Sequence, residues 1–523
     1  MGRTRRDVLK LAGAGMLGSS LLPGYLTASG RAEGADERPN VLFIMTDQHR
    51  FDALSCAGNG VVSTPHLDRL AKSGAFFSEM SCTSPVCGPS RASLLSGQFF
   101  RGHGCNGSVK QFAQDKRGMK LSVETFDESL HAAGYETEYF GKWHTGGGHQ
   151  DIYTSGLKTH FLREYEREMT AKHPTPKNYQ QKQMEVDNYT GLYFHPYPLN
   201  EAMAQSDQRH RGNENQPKIH HDPEAGWSDI PDDDSLTAWL TKRAIGFLET
   251  KRDRPFALTL SLLHPHSPLV TNGRYIDYYD PKEMPMPTNV FDDENKGQFG
   301  VPSIIKLDGS GMGRFIAQYY ALVVEIDDWV GKLLTALDRS GARKNTMIVF
   351  TSDHGEMMGS HGQVGKSRCF EESIRVPLFL SLPGRIKPGT RVSAPVSGVD
   401  IAPTLLDYCG LESGGTRPFD GVSLRAAIEG ESLGRDFSPF ELNRVGMRAR
   451  GMRKSSWKFS ISERYGQRLY DLEKDPQELL NLISPGASNR TKHLEVAKNL
   501  RGELTEYFGD RGDEQLAELP ELR

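Results

Sequence analysis

Residues 40–47 of the chain read Asn40-Val41-Leu42-Phe43-Ile44-Met45-Thr46-Asp47, an apolar run that ends in a carboxylate. Such a run, without alternating polar positions, is typical of a parallel strand that is buried on both faces. Three later runs share this pattern: 136–140 before Lys142, 256–262 before His266, and 346–350 before Asp353. Ligands of open parallel sheets bind beyond the carboxyl ends of the strands, so we expect these side chains to meet at one edge. The alternative is that each strand end is polar only because it meets solvent.

The segment before the fourth run predicts a helix. Residues 319–337 carry apolar side chains at helical spacing, and the pattern stops before Gly341. A helix that leads into a buried strand is the crossover of a βαβ unit. The sequence therefore predicts an α/β fold with a large, mostly parallel sheet sandwiched by helices.

The pattern changes at about residue 436. Residues 448–462 and 468–472 predict short antiparallel strands, and residues 494–508 predict an amphipathic terminal helix. We therefore expect a main domain over 33–435 and a small C-terminal α+β subdomain over 436–523.

Composition excludes several kinds of protein. The 523 residues are 37% hydrophobic and 25% charged, which is typical of a globular protein with a sizeable core. The net charge of −4, without a basic region, argues against nucleic acid as a partner. The six cysteines form no Cys-x-x-Cys pair, so a structural zinc site is not predicted.

The first 32 residues predict an export signal that is not part of the fold. Arg5-Arg6 precedes a Gly-rich apolar stretch over 11–26, which looks like a twin-arginine signal. The stretch is short and is interrupted by Gly and Pro, so stable membrane insertion is not expected. We expect the twin-arginine export machinery as a partner and a periplasmic or secreted protein. The alternative is a chance Arg pair before a membrane anchor.

A second unusual segment lies at about 150–231. It is polar, has little periodicity and is rich in His, Asn, Gln and Tyr. We interpret it as a long insertion over the sheet, where loops often carry substrate contacts. A solvated surface decoration is an equally good interpretation.

The stretch Cys87-Gly88-Pro89-Ser90-Arg91-Ala92-Ser93-Leu94-Leu95-Ser96-Gly97 predicts a short helix. Pro89 suits its first turn and Gly97 its end. Cys87 would lie at the helix N-terminus, where backbone N–H groups favour an anion. Local physics alone also allows an ordinary capped helix with a buried cysteine.

This stretch resembles the signature of the formylglycine-dependent type I sulfatases, which belong to the alkaline phosphatase-like superfamily. Further segments, in the family's order, extend the resemblance over about 39–482. It implies that a separate formylglycine-generating enzyme oxidises Cys87 to formylglycine (3-oxoalanine). The aldehyde hydrates to a diol, and one hydroxyl attacks the sulfur of a sulfate ester.

The resemblance also implies a metal site. Asp47-Gln48 and Asp353-His354 are similar to the family's two metal segments, and the modified Cys87 completes the set. The carboxylates suit Ca²⁺, with Mg²⁺ as an alternative. Gln48 and His354 stand where many members have Asp and Asn. The site would then carry less negative charge and be softer, so Mn²⁺ is also a candidate.

Cationic and imidazole groups fill the remaining catalytic roles that the resemblance implies. Lys142 would hold the sulfate, His144 would take a proton from the diol, and Arg91 would steady the diol. His266 and Lys366 would contact the leaving group, and either could protonate it.

These residues together predict hydrolysis of sulfate esters, on a sulfated small molecule or carbohydrate. One alternative is a phosphodiesterase or phosphonate monoester hydrolase of the same superfamily, since such relatives often show the Asp-Gln and Asp-His segments. A binding protein with a vestigial site is another alternative, and the complete set of catalytic residues argues against it.

Overall fold

The computed structural model describes residues 38–105, 123–146, 152–155, 161–174, 185–186, 192–196, 225–290, 310–412, 418–444, 446–513 and 519. The predicted export signal over 1–32 lies outside these residues, as do large parts of the predicted insertion over 150–231.

The strands are numbered in chain order. They are β1 (Asn40–Thr46), β2 (Ala75–Phe77), β3 (Met80–Ser81), β4 (Glu136–Gly141), β5 (Glu185–Val186), β6 (Tyr193–Pro196), β7 (Ala225–Ser228), β8 (Phe256–Ser261), β9 (Leu269–Asn272), β10 (Thr346–Ser352), β11 (Leu378–Ser381), β12 (Thr390–Val392), β13 (Val396–Ser397), β14 (Phe437–Leu442), β15 (Ala449–Lys454), β16 (Trp457–Ser462) and β17 (Gly466–Asp471).

The helices are numbered in the same way. They are α1 (Pro65–Lys72), α2 (Cys87–Ser96), α3 (Phe100–His103), α4 (Phe126–Ala132), α5 (Phe161–Lys172), α6 (Leu236–Glu249), α7 (Ser310–Arg339), α8 (Glu371–Ile374), α9 (Ile401–Tyr408), α10 (Arg425–Ile428) and α11 (Arg490–Gly509).

The central sheet has the strand order β12-β2-β11-β10-β1-β8-β4. The four strands predicted from the apolar runs are neighbours, and β10, β1, β8 and β4 pair in parallel. The strand β11 is antiparallel to both β10 and β2. The predicted large, mostly parallel sheet is therefore confirmed, and the carboxyl ends of its four parallel strands lie side by side.

Helices cover both faces of this sheet, because successive residues of β1 point to opposite sides. Phe43 packs in a cluster with residues of α2, α4 and α9. Its neighbour Ile44 packs in a second cluster with residues of α1, α6 and α7. Each face therefore has its own hydrophobic core, as the predicted sandwich of helices requires.

The crossover helix α7 is longer than the sequence pattern predicted. It begins at Ser310 instead of residue 319 and ends at Arg339. Its first turns pack Met312 and Phe315 into a separate cluster with Met358, beside the segment that follows β10. The extra turns thus pack against the loop that follows β10 at the edge of the sheet. The helical spacing of 319–337 could not predict this contact.

A small antiparallel sheet of the order β14-β15-β16-β17 follows the main sheet, and α11 packs against it. This agrees with the predicted C-terminal α+β subdomain, although β14 was missed and α11 starts before residue 494. The boundary after residue 435 stays a prediction.

The predicted insertion contains regular structure in its described part. The helix α5 buries Phe161, Tyr165 and Met169, which are four residues apart, against the second core cluster. In the described part of the chain, no helix is both long enough and apolar enough to cross a bilayer.

Candidate active site

The four parallel strands end in the polar residues that the sequence singled out. Asp47 follows β1, Lys142 follows β4, and Asp353 follows β10, while His266 lies in the loop after β8. Because these strands are adjacent and parallel, their carboxyl ends open on one edge of the sheet. The structure thus brings these four side chains to one place.

Cys87 reaches the same edge from the start of α2. The helix begins at Cys87 and ends before Gly97, whose φ of 65° is the left-handed conformation of a helix C-terminus. The Cys87 side chain is buried and points at His354, with Sγ 3.2 Å from Nε2. Its sulfur is also 3.9 Å from a carboxylate oxygen of Asp47.

Arg91, one turn further along α2, links the four strand ends. Its fully buried guanidinium donates to Asp353 at 2.8 Å and to Asp47 at 2.9 Å. The same side chain donates to the carbonyl of Lys142 at 2.7 Å and to the hydroxyl of Ser261 at 2.6 Å. A planar fork can bind several oxygens at once, so Arg91 fixes the spacing of these strand ends.

Four of the predicted metal ligands form one buried cluster. Asp47, Cys87, Asp353 and His354 each offer a ligand atom, and these atoms lie within 4.8 Å of one another. Nδ1 of His354 is 2.9 Å from the carbonyl oxygen of Gly355, which can only accept, so Nδ1 carries the proton. Nε2 then points at the cluster. A divalent cation fits this donor set, since two buried carboxylates and an imidazole nitrogen converge. Burial lowers the pKa of His354, but the charge of Asp353 raises it above its usual value, so a bound ion would take the place of the Nε2 proton.

Cations surround Cys87 and change its acidity. Burial raises the pKa of Cys87, but Lys142, Lys366, His354 and a hydrogen bond with His144 together hold it well below its usual range. An anionic group at this position is therefore stabilised by the side chains around it.

Lys142 forms a tight ion pair in the same region. Its ammonium lies 2.6 Å from the carboxylate of Asp47. Burial and the charge of Cys87 raise the pKa of Asp47, yet the charges of Lys142, His266 and Arg91 lower it well below its usual range. Asp47 is thus ionised and available as a ligand.

The two predicted catalytic histidines face Cys87 from different strand ends. Burial and the charge of Lys142 lower the pKa of His144 to about 4, so this imidazole is neutral at neutral pH. Burial, Lys366 and Lys142 also lower the pKa of His266. Nδ1 of His266 is 2.5 Å from the carbonyl oxygen of Ser267, so Nε2 faces the site.

Gln48 and Lys366 contact each other beside the cluster. The ammonium of Lys366 donates to the amide oxygen of Gln48 at 2.6 Å, while the amide nitrogen donates to Glu356. The Gln48 oxygen is thus engaged by a cation. Its predicted role as a metal ligand stays a prediction.

Three residues of the site were not assigned a role from the sequence. Ser261 binds Arg91, as described above. The hydroxyl of Tyr319 donates to the backbone carbonyl of Gln48 at 2.6 Å and accepts the N–H of Arg50 at 2.9 Å. Glu356 holds the amide of Gln48. Glu356 lies in the second metal segment and could have been noticed, whereas no sequence signal points to Tyr319.

The family model described as Sulfatase matches residues 39–411, and the model described as N-sulphoglucosamine sulphohydrolase, C-terminal, matches residues 359–508. The chain belongs to the sulfatase family. Sulfatases are hydrolases of sulfuric esters, and the predicted enzyme class is confirmed.

Two curated relatives are similar to this chain in sequence, and one solved structure is similar to it in fold. The sulfatase is 31% identical to an arylsulfatase of Clostridium perfringens over 484 residues, which cover 86% of this chain and 90% of the relative. It is 25% identical to an N-acetylglucosamine-6-O-sulfatase of Bacteroides thetaiotaomicron, with 92% of this chain and 88% of the relative covered. The structure of a phosphonate monoester hydrolase of Agrobacterium radiobacter superposes with a TM-score of 0.68 at 24% identity, covering 89% and 96% of the two chains. This last likeness shows the shared fold, and the predicted alkaline phosphatase-like architecture is confirmed.

Proposed function

We propose that this sulfatase hydrolyses sulfate esters through a formylglycine made from Cys87, with a divalent metal ion beside it. The observation that carries this proposal is the position of Cys87. Its side chain starts a helix, lies 3.2 Å from an imidazole nitrogen of the carboxylate cluster, and is surrounded by cationic groups.

Asp47, Asp353 and His354 would hold the metal ion, together with residue 87. A bound ion supplies positive charge that neutralises the sulfate and polarises its sulfur. The buried carboxylates favour Ca²⁺, with Mg²⁺ and Mn²⁺ as alternatives. Arg91 keeps both carboxylates in place through its two buried ion pairs.

The hydrated formylglycine supplies the hydroxyl that attacks sulfur, and the side chains of the chain bind the ester around it. Lys142 and Lys366 are the cations that most lower the pKa of Cys87, so both face the position of the reacting group. They would bind the sulfate oxygens and stabilise the negative charge that develops on them.

His144 is suited to accept the proton that residue 87 must lose when its aldehyde re-forms. The side chain hydrogen-bonds with residue 87, and its pKa of about 4 keeps it neutral at neutral pH. A neutral imidazole in hydrogen-bonding contact is the form that a general base requires.

The leaving group needs a proton, and Lys366 is the better candidate donor. His266 has a lowered pKa, and its Nδ1 proton is held by a backbone carbonyl, so its neutral form offers only a lone pair at Nε2. We therefore assign the general acid to Lys366, and the Nε2 lone pair of His266 would accept a hydrogen bond from the leaving alcohol once it is protonated.

The substrate is proposed to be a sulfated carbohydrate. The name of the relative from Bacteroides thetaiotaomicron, an N-acetylglucosamine-6-O-sulfatase, supports this class. Two tyrosines of the predicted insertion do not: Tyr153 and Tyr165 are buried and hydrogen-bonded to Asp127 and to the backbone of Asp234. Contacts to sugar would have to come from other residues.

Maturation and location complete the proposal. A formylglycine-generating enzyme would modify Cys87 in the unfolded chain, and the twin-arginine machinery would then export the folded enzyme to the periplasm or beyond. This order is consistent, because the twin-arginine route carries folded proteins.

A phosphonate monoester or phosphodiester substrate is the second candidate. The Asp-Gln and Asp-His segments favour it, and the fold shared with a phosphonate monoester hydrolase is compatible with it. Substrates of both classes carry one negative charge at neutral pH, so the charge of the site does not separate them, and rates on matched substrates decide between the two candidates.

The test compares enzyme produced with its converting enzyme and the Cys87→Ala variant on matched substrates. We expect hydrolysis of an aryl sulfate that exceeds hydrolysis of the matching aryl phosphonate, and loss of both in Cys87→Ala. Faster turnover of the phosphonate would favour the second candidate. Equal activity of the two proteins would contradict a nucleophile at residue 87.

A further inference from the structure

Glu356 is a buried carboxylate with two separate tasks. One of its oxygens accepts the backbone N–H of Met358 at 3.1 Å and that of Gly365 at 2.5 Å. The backbone N–H of Met357 donates to the carbonyl of Gly365 at 2.8 Å. These bonds close the loop between residues 357 and 365, and Lys366 is the next residue after it.

The other oxygen of Glu356 accepts a hydrogen bond from the amide nitrogen of Gln48. The amide oxygen of Gln48 accepts from the ammonium of Lys366 at 2.6 Å. A carboxylate can only accept and an ammonium can only donate, so these two partners fix the direction of the Gln48 amide. One carboxylate thus holds both the loop that carries Lys366 and the group that Lys366 contacts.

We propose that Glu356 is a positioning residue for Lys366. It holds the Lys366 ammonium through Gln48, and it holds the backbone next to Lys366 through the hydrogen bonds that close the loop between residues 357 and 365. The inference rests on the proposed function, in which Lys366 protonates the leaving group. Glu356 does not touch substrate in this account. It determines where the ammonium stands, because a long, flexible lysine side chain has many rotamers and is useful only in one of them.

A glutamine at position 356 would break this arrangement although it has the same size. Its oxygen could still accept the two backbone N–H groups. Its NH₂ group would then face the NH₂ group of Gln48, and two donors cannot bond. If the Gln48 amide turned over, its NH₂ group would face the Lys366 ammonium instead, so the conflict would only move to the next pair.

The experiment is a double-mutant cycle with two leaving groups. Glu356→Gln, Lys366→Ala and the double variant are compared with the wild-type holoenzyme on an alkyl sulfate and on 4-nitrophenyl sulfate. The first leaving group needs a proton and the second does not. We expect Glu356→Gln to reduce kcat on the alkyl sulfate about 10- to 100-fold, and much less on 4-nitrophenyl sulfate. The kcat of the double variant on the alkyl sulfate should equal that of Lys366→Ala, because both changes disable the same ammonium group.

Glu138→Gln is the matched control. Glu138 is equally buried and also accepts two backbone N–H groups, from Tyr139 at 3.0 Å and from Ser155 at 2.9 Å. No described hydrogen bond links it to Lys366. Its variant should keep wild-type kcat on both substrates, which separates a specific effect from the general cost of neutralising a buried acid.

Two results would overturn the positioning role. One is an equal loss on both substrates in Glu356→Gln. The other is a double variant whose loss is the product of the two single losses. If Glu356→Gln does not fold, Glu356→Asp takes its place, because it keeps the charge but is one methylene too short to hold Gln48. A wild-type enzyme that cleaves neither sulfate would instead contradict the proposed function.

Discussion

Replacing Arg91 should show how far the site depends on one buried cation. Arg91 has no solvent-exposed surface and donates to two carboxylates that are themselves fully buried. In Arg91→Met, Asp47 keeps its ion pair with Lys142 at 2.6 Å, but Asp353 loses its arginine partner. In Arg91→Lys the charge stays, although a single ammonium cannot reach the four groups that the guanidinium contacts.

The magnitudes follow from these contacts. Breaking a buried ion pair by removing one partner costs about 3–5 kcal/mol, so we expect a loss of that size in the free energy of unfolding of Arg91→Met. Arg91→Lys loses one or two hydrogen bonds to charged groups, each worth about 1.5–3 kcal/mol, so a loss of about 1.5–6 kcal/mol is expected. A bound divalent cation supplies replacement charge beside the carboxylates. The deficit of Arg91→Met should therefore shrink when the metal is added.

The assay is urea unfolding with and without added Ca²⁺, followed by tryptophan fluorescence, together with kcat on an aryl sulfate. Arg339→Met is the control, because Arg339 forms an exposed pair with Glu249 and should contribute less than about 1 kcal/mol. A loss below 1 kcal/mol in Arg91→Met, with kcat preserved, would refute the view that Arg91 organises the strand ends.

Three further predictions concern a buried acid, the metal site and a glycine at a strand end. Burial raises the pKa of Glu325 to about 8 from an ordinary 4.5, so its contribution to stability is present in acid and is lost as the pH rises through 8. Glu325→Gln should therefore raise the Tm at pH 9 but not at pH 5, whereas Glu249→Gln, at a half-exposed position, should change neither. Adding Ca²⁺ at 100 times its Kd should raise the free energy of unfolding by about 2.7 kcal/mol, and Asp353→Asn should abolish this rise; persistence of the full rise would place the ion elsewhere. Gly141→Ala should destabilise the fold by about 2 kcal/mol or more and reduce activity, since φ is 106° and the new Cβ would lie 1.9 Å from a backbone oxygen of the next strand. Gly134→Ala, with a φ of 93° and no atom within 4 Å of the new Cβ, should lower the Tm less than Gly141→Ala does.

The sequence was most informative where burial is complete. The four parallel strands have no solvent face, so their apolar runs are continuous and end abruptly at polar residues such as Asp47 and Asp353. The start of α2 at Cys87 could be predicted for a local reason, because Pro89 and Gly97 mark the two ends of the helix. These features also place the candidate site, since parallel strands share one edge.

The sequence was least informative where tertiary contacts determine the structure. The first turns of α7 form because Met312 and Phe315 pack against Met358, a contact between residues far apart in the chain. The helix α5 was taken for irregular chain because its buried positions are few and are separated by charged residues. The link from Glu356 through Gln48 to Lys366 could not be predicted, because a hydrogen bond between distant loops leaves no spacing pattern.

The most direct test is mass spectrometry of the peptide that contains residue 87, from active enzyme made with its converting enzyme. The account predicts an aldehyde or its hydrate in place of the thiol, in a proportion that follows the specific activity of each preparation. Fully active enzyme with an intact cysteine at this position would contradict it.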